Sequence, residues 1–325
     1  MAEIENKIIE LLGIPIERTN EIRIRIKQSH KFYRHIQIPK KNKSEFRDIY
    51  LPSTEIKAFQ HIISEVYLTD YPVSKCAYAY VKGRNTKQAV NPHKENIHYL
   101  KIDIHDFFDS IKTSCFREII KNNNINNLSD KGISELLCVL TYKNKFVQGC
   151  VTSPQVSNIV FYEIDNYINE LVGEISKGVY TRYSDDILIS SDKKIPTKIL
   201  INISDKIREY GFLVNRKKTG FLKNYGNNIK YVGLHILKNN NISIGTEYKK
   251  MLKNNIFHKM KSHNSSSESI NQIIGKLYYL KFHEPNYFNK INIKYQKEGK
   301  LLMTWLKQEN KKEEFVGKLK STSIR

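Results

Sequence analysis

Two adjacent carboxylates, Asp185 and Asp186, occupy the most informative segment of the chain. They separate two apolar runs, residues 179–183 and 187–190, whose β-branched and aromatic side chains favour short strands. A tight turn over residues 184–186 would hold two like charges side by side, and a hard divalent cation such as Mg²⁺ would relieve their repulsion. A solvated Asp-Asp turn without a metal is the alternative that this pair alone leaves open.

A third carboxylate, Asp103, lies in a segment with the alternation of a strand. Apolar side chains at every second position of residues 98–104 place Lys101 and Asp103 together on the opposite face. A buried carboxylate needs a partner, which would be either Lys101 in a structural ion pair or a metal shared with Asp185. Two divalent ions about 3.5–4 Å apart could activate an attacking hydroxyl and stabilise a leaving pyrophosphate. Because strand neighbours face opposite sides, Asp185 and Asp186 cannot both be equally good ligands unless the turn redirects one of them.

The charge of the chain indicates a polyanionic partner. Its 325 residues carry 54 Lys and Arg against 33 Asp and Glu, a formal net charge of +21 that is spread over the whole length. Nucleic acid is the expected partner, and an anionic membrane surface is the competing one. No apolar stretch approaches the roughly 20 residues of a membrane span and no signal peptide is evident, so we expect an intracellular protein without a membrane. The four cysteines form no Cys-x-x-Cys pair, which favours reduced thiols over a zinc site.

Apolar periodicity and turn residues predict a mixed helix and strand order. Residues 81–98 are expected to form a polar, basic loop, and residues 41–44 a turn between two strands. Helices are predicted over residues 3–30, 54–66, 106–121, 132–142, 153–171, 197–210 and from about 247 onward, interrupted by a loop at 263–267. Strands are predicted over residues 33–51 (as a pair), 98–104, 179–190 (as a hairpin), 212–215, 229–237 and 242–244.

Five motifs in order support a resemblance to a known family. They are DIHDFF (103–108), QGCVTSP (148–154) with SN (157–158), YSDD (183–186), GFLVNRKKT (211–219) and YVGLH (231–235). Together they resemble the successive palm motifs of reverse transcriptases, particularly the bacterial retron and group II intron lineages. The resemblance covers about residues 33–245, and the order and spacing of the motifs make it specific.

The resemblance implies an α+β right-hand polymerase with fingers, palm and thumb, in which an antiparallel palm sheet packs on helices. Residues 1–100, including the N-terminal helix, would form the fingers, and residues 112–150 would belong to the fingers and palm. Residues 101–240 would form the palm and residues 241–325 a basic thumb.

The resemblance also implies roles for individual residues. Asp103, Asp185 and Asp186 would bind two Mg²⁺ ions, and Lys218 would lie near the leaving phosphates as a proton donor; a solvated lysine is the alternative for Lys218. Ser184 stands where alanine is more usual in the bacterial relatives, and a small-for-small change there is expected to be nearly neutral.

Nucleotide-binding and primer-binding residues follow from the same motifs. Phe108 would exclude a ribose 2′-hydroxyl because its ring fills the volume that the hydroxyl needs, whereas Phe107 is expected in the core. The remaining nucleotide-binding candidates are Arg47, Lys82, Arg84, Gln148 and Gly149; for the three cations, contact with the template backbone is an equal alternative. The primer grip would be formed by Tyr231, Val232, Gly233 and Leu234.

Two retron elements have altered counterparts in the chain. Residues 88–93 (QAVNPH) stand where retron enzymes carry Asn-Ala-x-x-His, and residues 231–233 stand where Val-Thr-Gly is usual. A retron enzyme would copy a dedicated structured non-coding RNA with dNTPs into a branched RNA–DNA product, in the bacterial cytoplasm and with an effector or toxin protein in antiphage defence. A stand-alone defence or group II intron-like reverse transcriptase with another template, and an inactive RNA-binding scaffold, remain as alternatives.

Overall fold

A computed structural model describes residues 3–40, 45–224, 228–261 and 269–311. The chain divides into two compact units, Met1–Lys223 and Asn224–Arg325. The turn expected at residues 41–44 and the loop expected at 263–267 lie outside the described residues. No described helix is both long and apolar enough to cross a membrane.

The first unit contains a two-stranded sheet, a central five-stranded sheet and nine described α-helices. Its strands are β1 (Tyr33–Pro39), β2 (Phe46–Pro52), β3 (His98–His105), β4 (Val179–Tyr183), β5 (Asp186–Ser191), β6 (Leu213–Val214) and β7 (Gly220–Lys223). Its helices are α1 (Glu3–Leu11), α2 (Thr19–Lys27), α3 (Thr54–Ile63), α4 (Thr86–Val90), α5 (Thr113–Asn123), α6 (Asp130–Leu140), α7 (Ser153–Val160), α8 (Tyr162–Gly173) and α9 (Thr197–Glu209).

The central sheet is antiparallel throughout and places the third carboxylate beside the Asp-Asp turn. Its strand order is β4-β5-β3-β6, and β7 also pairs with β3. On the buried face, Ile102 and Ile187 join the core that α7, α8 and α9 cover. The pairing of β3 with β5 sets Asp103 directly opposite Asp186, and a shift of β3 by one residue would turn the Asp103 side chain to the other face. The predicted antiparallel sheet packed on helices is therefore confirmed.

Three predicted helices are interrupted where the chain must turn. The helix expected over residues 3–30 ends at Leu11, because Gly13 takes a φ of +58° and Pro15 follows it. The helix expected from residue 106 begins at Thr113, since Asp106 takes a φ of +42° in the turn after β3. The helix expected over residues 153–171 is two helices, α7 and α8, that meet at Phe161.

Two elements escaped the sequence patterns. Helix α4 lies inside the expected basic loop, and its start was readable, because Asn85 and Gln88 form a capping box. Strand β7 begins at Gly220 and pairs with β3 from Lys101 back to His98. Its short, mostly exposed run carries no alternation from which it could have been predicted.

The second unit contains a small antiparallel sheet followed by helices. Strands β8 (Ile229–Tyr231), β9 (Leu234–Ile236) and β10 (Ile242–Ser243) pair in the order β10-β9-β8. Helices α10 (Thr246–Lys261), α11 (Ile270–His283) and α12 (Pro285–Lys294) follow. Leu252, Leu277 and Trp305 are buried in this unit. The stretch expected as a strand over residues 229–237 is two strands, because the chain turns at Val232 and Gly233. The strand expected near 242–244 and the helical, basic end of the chain are confirmed for the described residues.

Candidate active site

The Asp-Asp turn is a two-residue connection between β4 and β5. Tyr183 pairs with Asp186 across the hairpin, so Ser184 and Asp185 form its tip. Ser184 takes a φ of +62°, and the backbone oxygen of Asp185 accepts a 3.1 Å hydrogen bond from the N–H of Ile104 on β3. The turn is thus tied to β3 immediately after Asp103, so all three predicted carboxylates lie where β3 meets the β4–β5 hairpin.

Two lysines balance part of this negative charge. The Lys218 ammonium lies 3.1 Å from Asp103 Oδ2, and the Lys101 ammonium lies 3.2 Å from Asp186 Oδ1. Lys101 therefore pairs with Asp186, not with Asp103 as the ion-pair interpretation of the sequence had it. The structure places Lys218 at the carboxylates with 64% of its side chain exposed.

Among the described residues, no lysine forms an ion pair with Asp185, and the surroundings of its carboxyl oppose ionisation. Burial raises the pKa of the Asp185 carboxyl, and the neighbouring charges of Asp186 and Asp103 raise this pKa further. Deprotonated Asp185 therefore lowers the stability of the fold at neutral pH, and a cation bound there would restore it.

The donor set fits a hard divalent cation that is completed by substrate oxygens. In the described part of the chain, no three His, Cys, Asp or Glu side chains converge as a ready-made metal cage. Mg²⁺ is usually held by one or two carboxylates together with substrate phosphates and water, so a complete protein cage is not required. Asp103 on β3 and Asp185 at the tip of the adjacent β4–β5 hairpin lie beside the exposed Lys218 and have the donor chemistry for such a site.

A fully buried ion pair between Arg182 and Asp165 is bonded to the backbone of the carboxylate turn. Arg182, on β4, is completely buried and binds Asp165 of α8 through two hydrogen bonds of 2.8 Å. A third guanidinium nitrogen lies 3.2 Å from the backbone oxygen of Ser184, and Asn158 of α7 accepts another hydrogen bond at 3.1 Å. This cluster links two helices to the carboxylate turn. Sequence reasoning missed Arg182 and Asp165, although an arginine within a run that reads as a buried strand was a usable signal.

A buried histidine connects the two strands of the hairpin. His93 bonds Ser190 of β5 through Nδ1 at 2.7 Å and Thr181 of β4 through Nε2 at 2.8 Å. Burial lowers the pKa of His93 to about 3, so the ring stays neutral at physiological pH. His93, which belongs to the altered retron element at residues 88–93, thus holds β4 and β5 together next to the carboxylate turn. The sequence alone did not indicate this role.

Of the two phenylalanines after β3, Phe107 lies in the core as expected, and Phe108 packs against the edge of the core. Phe107 is buried and its ring packs 5.2 Å from that of Phe161 in the core. Phe108 is half-buried, and its ring centroid lies 6.2 Å from that of Tyr80. Tyr80 was not singled out from the sequence, yet its hydroxyl lies 3.0 Å from the Ser184 hydroxyl at the carboxylate turn.

The Gln148-Gly149 turn is hydrogen-bonded to strand β2. The backbone N–H of Tyr50 donates a 2.8 Å hydrogen bond to the Gln148 oxygen. Gly149 takes a φ of +109°, and a Cβ there would lie 2.4 Å from the Tyr50 oxygen. Only glycine fits both the backbone angle and this close approach.

The three candidate cations differ in their surroundings. Arg47 on β2 and Lys82 are exposed, whereas the Arg84 guanidinium donates to the backbone oxygens of Ser74 at 2.6 Å and Ala77 at 2.5 Å. Arg84 therefore stabilises the loop beside it in this conformation. A role for each of these residues at the triphosphate stays a prediction.

The predicted primer-grip residues lie in the second unit at the turn between β8 and β9. Tyr231 and Leu234 are fully buried, and Val232 and Gly233 take φ angles of +42° and +83°. The hairpin is formed as predicted; its contact with a primer stays a prediction.

Comparison with known proteins identifies the family. The reverse transcriptase (RNA-dependent DNA polymerase) family matches residues 38–236, which is more than half of the chain. The chain belongs to this family. It is an RNA-directed DNA polymerase, as the order of the palm motifs predicted.

The relatives of this reverse transcriptase confirm its resemblance to the retron type. It is 29% identical to the Retron Ec73 reverse transcriptase of Escherichia coli over 80% of this chain and 86% of that protein. It is 25% identical to the Retron Ec83 enzyme of the same species, over 81% and 86% of the two chains. Among solved structures, an apo telomerase from Candida tropicalis superposes with a TM-score of 0.47 at 12% identity, covering 75% of this chain and 55% of that one.

Replacing Gly149 by alanine is expected to destabilise this reverse transcriptase by more than about 1 kcal/mol, because the new methyl group meets the Tyr50 oxygen at a positive φ. The displaced Gln148 turn should also raise the KM for dNTPs. Urea denaturation and steady-state primer extension measure the two effects.

Gly173→Ala is the matched control. Gly173 ends α8 with open space around the position of a Cβ, so this change is expected to leave stability equal or slightly higher. Equal stability of the two alanine variants would contradict the close approach at Gly149.

Proposed function

We propose that this reverse transcriptase copies part of a dedicated structured non-coding RNA and leaves a branched RNA–DNA product. Support for this template comes from the relatives, which are named as retron reverse transcriptases and match over most of their length. The register that sets Asp103 opposite Asp186 and beside Asp185 supports the assignment of the reaction centre. A strong excess of basic residues suits a protein that holds RNA and DNA throughout synthesis.

We infer that Asp103 and Asp185 hold two Mg²⁺ ions, with Asp186 in a supporting position. When bound, the two ions would activate the primer hydroxyl and stabilise the leaving pyrophosphate. Lys218 is bonded to Asp103 in the structure and mostly exposed. Once the charge of Asp103 is balanced by metal, the Lys218 ammonium is free to turn to the leaving phosphates and give up a proton there.

The nucleotide is expected to be held by residues of the first unit, which also carries these carboxylates. Phe108 would face the sugar, Gln148 and Gly149 the nucleotide, and the exposed cations Arg47 and Lys82 the triphosphate. The primer would lie on the hairpin of Tyr231–Leu234. We propose the cytoplasm of a bacterium as the place of action, where thiols such as the four free cysteines stay reduced.

Replacing Phe108 by alanine is expected to admit ribonucleotides. Removal of the ring opens the volume that a 2′-hydroxyl needs, and the preference for dNTPs over rNTPs should fall about 10- to 100-fold. Competing kcat/KM values for dCTP and CTP opposite one template guanine measure the change.

Phe116→Leu provides the control for this variant. Phe116 is buried in the core, where its ring packs on that of Phe146, so its replacement should lower stability while the sugar preference stays at the wild-type value. A wild-type preference in Phe108→Ala would remove Phe108 from sugar selection.

The template assignment is tested by sequencing the nucleic acid that copurifies with the protein from a bacterial host carrying its native locus. We expect one RNA species joined to DNA through a 2′,5′ branch, which debranching enzyme releases. Linear cDNA from many RNAs would instead support the alternative of a stand-alone or group II intron-like reverse transcriptase. Copurification of a further protein would reveal the effector expected in antiphage defence.

A further inference from the structure

Tyr80 is held in an unfavourable backbone conformation next to the carboxylate turn. Its φ is +62°, a region in which a bulky side chain costs free energy and persists only when the surroundings impose it. The neighbouring residues supply that constraint: the Ala79 oxygen accepts from Asn158 at 2.9 Å, and the Tyr78 N–H donates to the Arg182 oxygen at 2.8 Å. The segment before Tyr80 is thus fastened to the same cluster that supports the turn.

The side chain of Tyr80 connects this turn to Phe108. Its hydroxyl lies 3.0 Å from the hydroxyl of Ser184, which also has a φ of +62° and is buried. Tyr80 as a whole is 51% exposed, and its ring centroid lies 6.2 Å from that of Phe108 with an angle of 52° between the ring planes. An exposed aromatic ring anchored at its hydroxyl has a fixed position that an unanchored ring would lack.

We propose that Tyr80 is a positioning residue for sugar selection: Ser184 fixes its ring, and the ring supports Phe108. This inference rests on the sugar-selecting role proposed for Phe108. It also gives Ser184 a function that alanine cannot perform, since alanine has no hydroxyl to hold Tyr80. The nearly neutral effect expected from the sequence for a small-for-small change at Ser184 would then be limited to stability.

The test compares dCTP and CTP incorporation opposite one template guanine for Tyr80→Phe, Ser184→Ala and the double variant. Each single change removes the same hydrogen bond, so each should lower the sugar preference about 3- to 10-fold. The double variant should show the same loss as either single variant, because the bond can be lost only once. The kcat for dCTP should stay near its wild-type value. Tyr167→Phe, at a partly buried position on α8 beside Lys206, controls for loss of a tyrosine hydroxyl as such and should leave the preference unchanged.

Phe108→Ala separates the two proposals. A reduced preference in Phe108→Ala with unchanged preferences in Tyr80→Phe and Ser184→Ala would overturn the inference and leave the role of Phe108 in place. An unchanged preference in Phe108→Ala would overturn both. Losses that multiply in the double variant would show that Tyr80 and Ser184 act separately, which also contradicts the inference.

Discussion

Replacing Asp185 by asparagine is expected to lower nucleotide incorporation on an RNA template about 1,000-fold or more, since one metal-binding carboxylate is lost from the reaction centre. Asparagine keeps the size of the side chain at the tip of the β4–β5 hairpin. The loss should therefore fall on kcat, with the fold intact. Single-turnover primer extension with saturating dNTP measures it.

Although Asp185→Asn should lose activity, we expect it to gain thermal stability. Burial, Asp186 and Asp103 raise the pKa of the Asp185 carboxyl, so its charged form opposes folding at pH values above the ordinary aspartate pKa. Without divalent ions, Asp185→Asn should therefore melt at a higher temperature than the wild type. Addition of Mg²⁺ should stabilise the wild type more than the variant.

Asp205→Asn is the matched control for Asp185→Asn. Asp205 lies on α9 in an exposed ion pair with Arg208, outside the β3 strand and the β4–β5 hairpin that carry the three carboxylates. Synthesis and the response to Mg²⁺ should both stay at wild-type values in this variant. Undiminished synthesis in Asp185→Asn would show that Asp185 is not a metal ligand.

Replacing Arg182 by methionine is expected to destabilise the protein by about 3–5 kcal/mol, because the charge of Asp165 stays buried without its partner. Both side chains are completely buried, so water cannot replace the lost hydrogen bonds. The Ser184 oxygen also loses the donor that fixes the carboxylate turn. The free energy of unfolding, obtained from urea denaturation of the wild type and the variant, measures this loss.

A double variant separates stability from positioning at this cluster. Arg182→Met with Asp165→Leu removes both charges and should recover much of the stability, although Tyr180 loses the carboxylate that its hydroxyl bonds. Its activity should stay low, because the Ser184 oxygen has lost the hydrogen bond from the Arg182 guanidinium. Arg208→Met, which removes the exposed partner of Asp205, should cost less than about 1 kcal/mol. A similarly small cost for Arg182→Met would contradict the structural role of the buried pair.

The local sequence determined the strands and the chemistry that they carry. Alternation over residues 98–104 placed Asp103 on the polar face of β3, and the apolar runs around Asp185 and Asp186 gave the β4–β5 hairpin. Both signals are local, because side-chain direction along a strand has a period of two. The order of five motifs added the family, which no single motif could have given.

Helix ends were less readable than strand faces. The helical spacing of apolar residues continued through Asp106 and Phe161, although the chain turns at both residues. This spacing shows which face of a helix is buried, but it does not show where the helix axis changes direction. Phe107 and Phe161 are both core residues that a continuous helix and a broken one would bury equally well.

Only the tertiary structure decided which charges meet. The sequence offered Lys101 as the partner of Asp103, but the register of β3 with β5 gives Lys101 to Asp186 and leaves Asp103 to Lys218, 115 residues along the chain. The sequence by itself thus determined a reverse transcriptase with three carboxylates on a palm sheet. Contacts between distant segments decide which lysine pairs with each of Asp103 and Asp186. They also place the buried Arg182 against the Ser184 oxygen and bond Tyr80 to Ser184. No local pattern encodes such contacts.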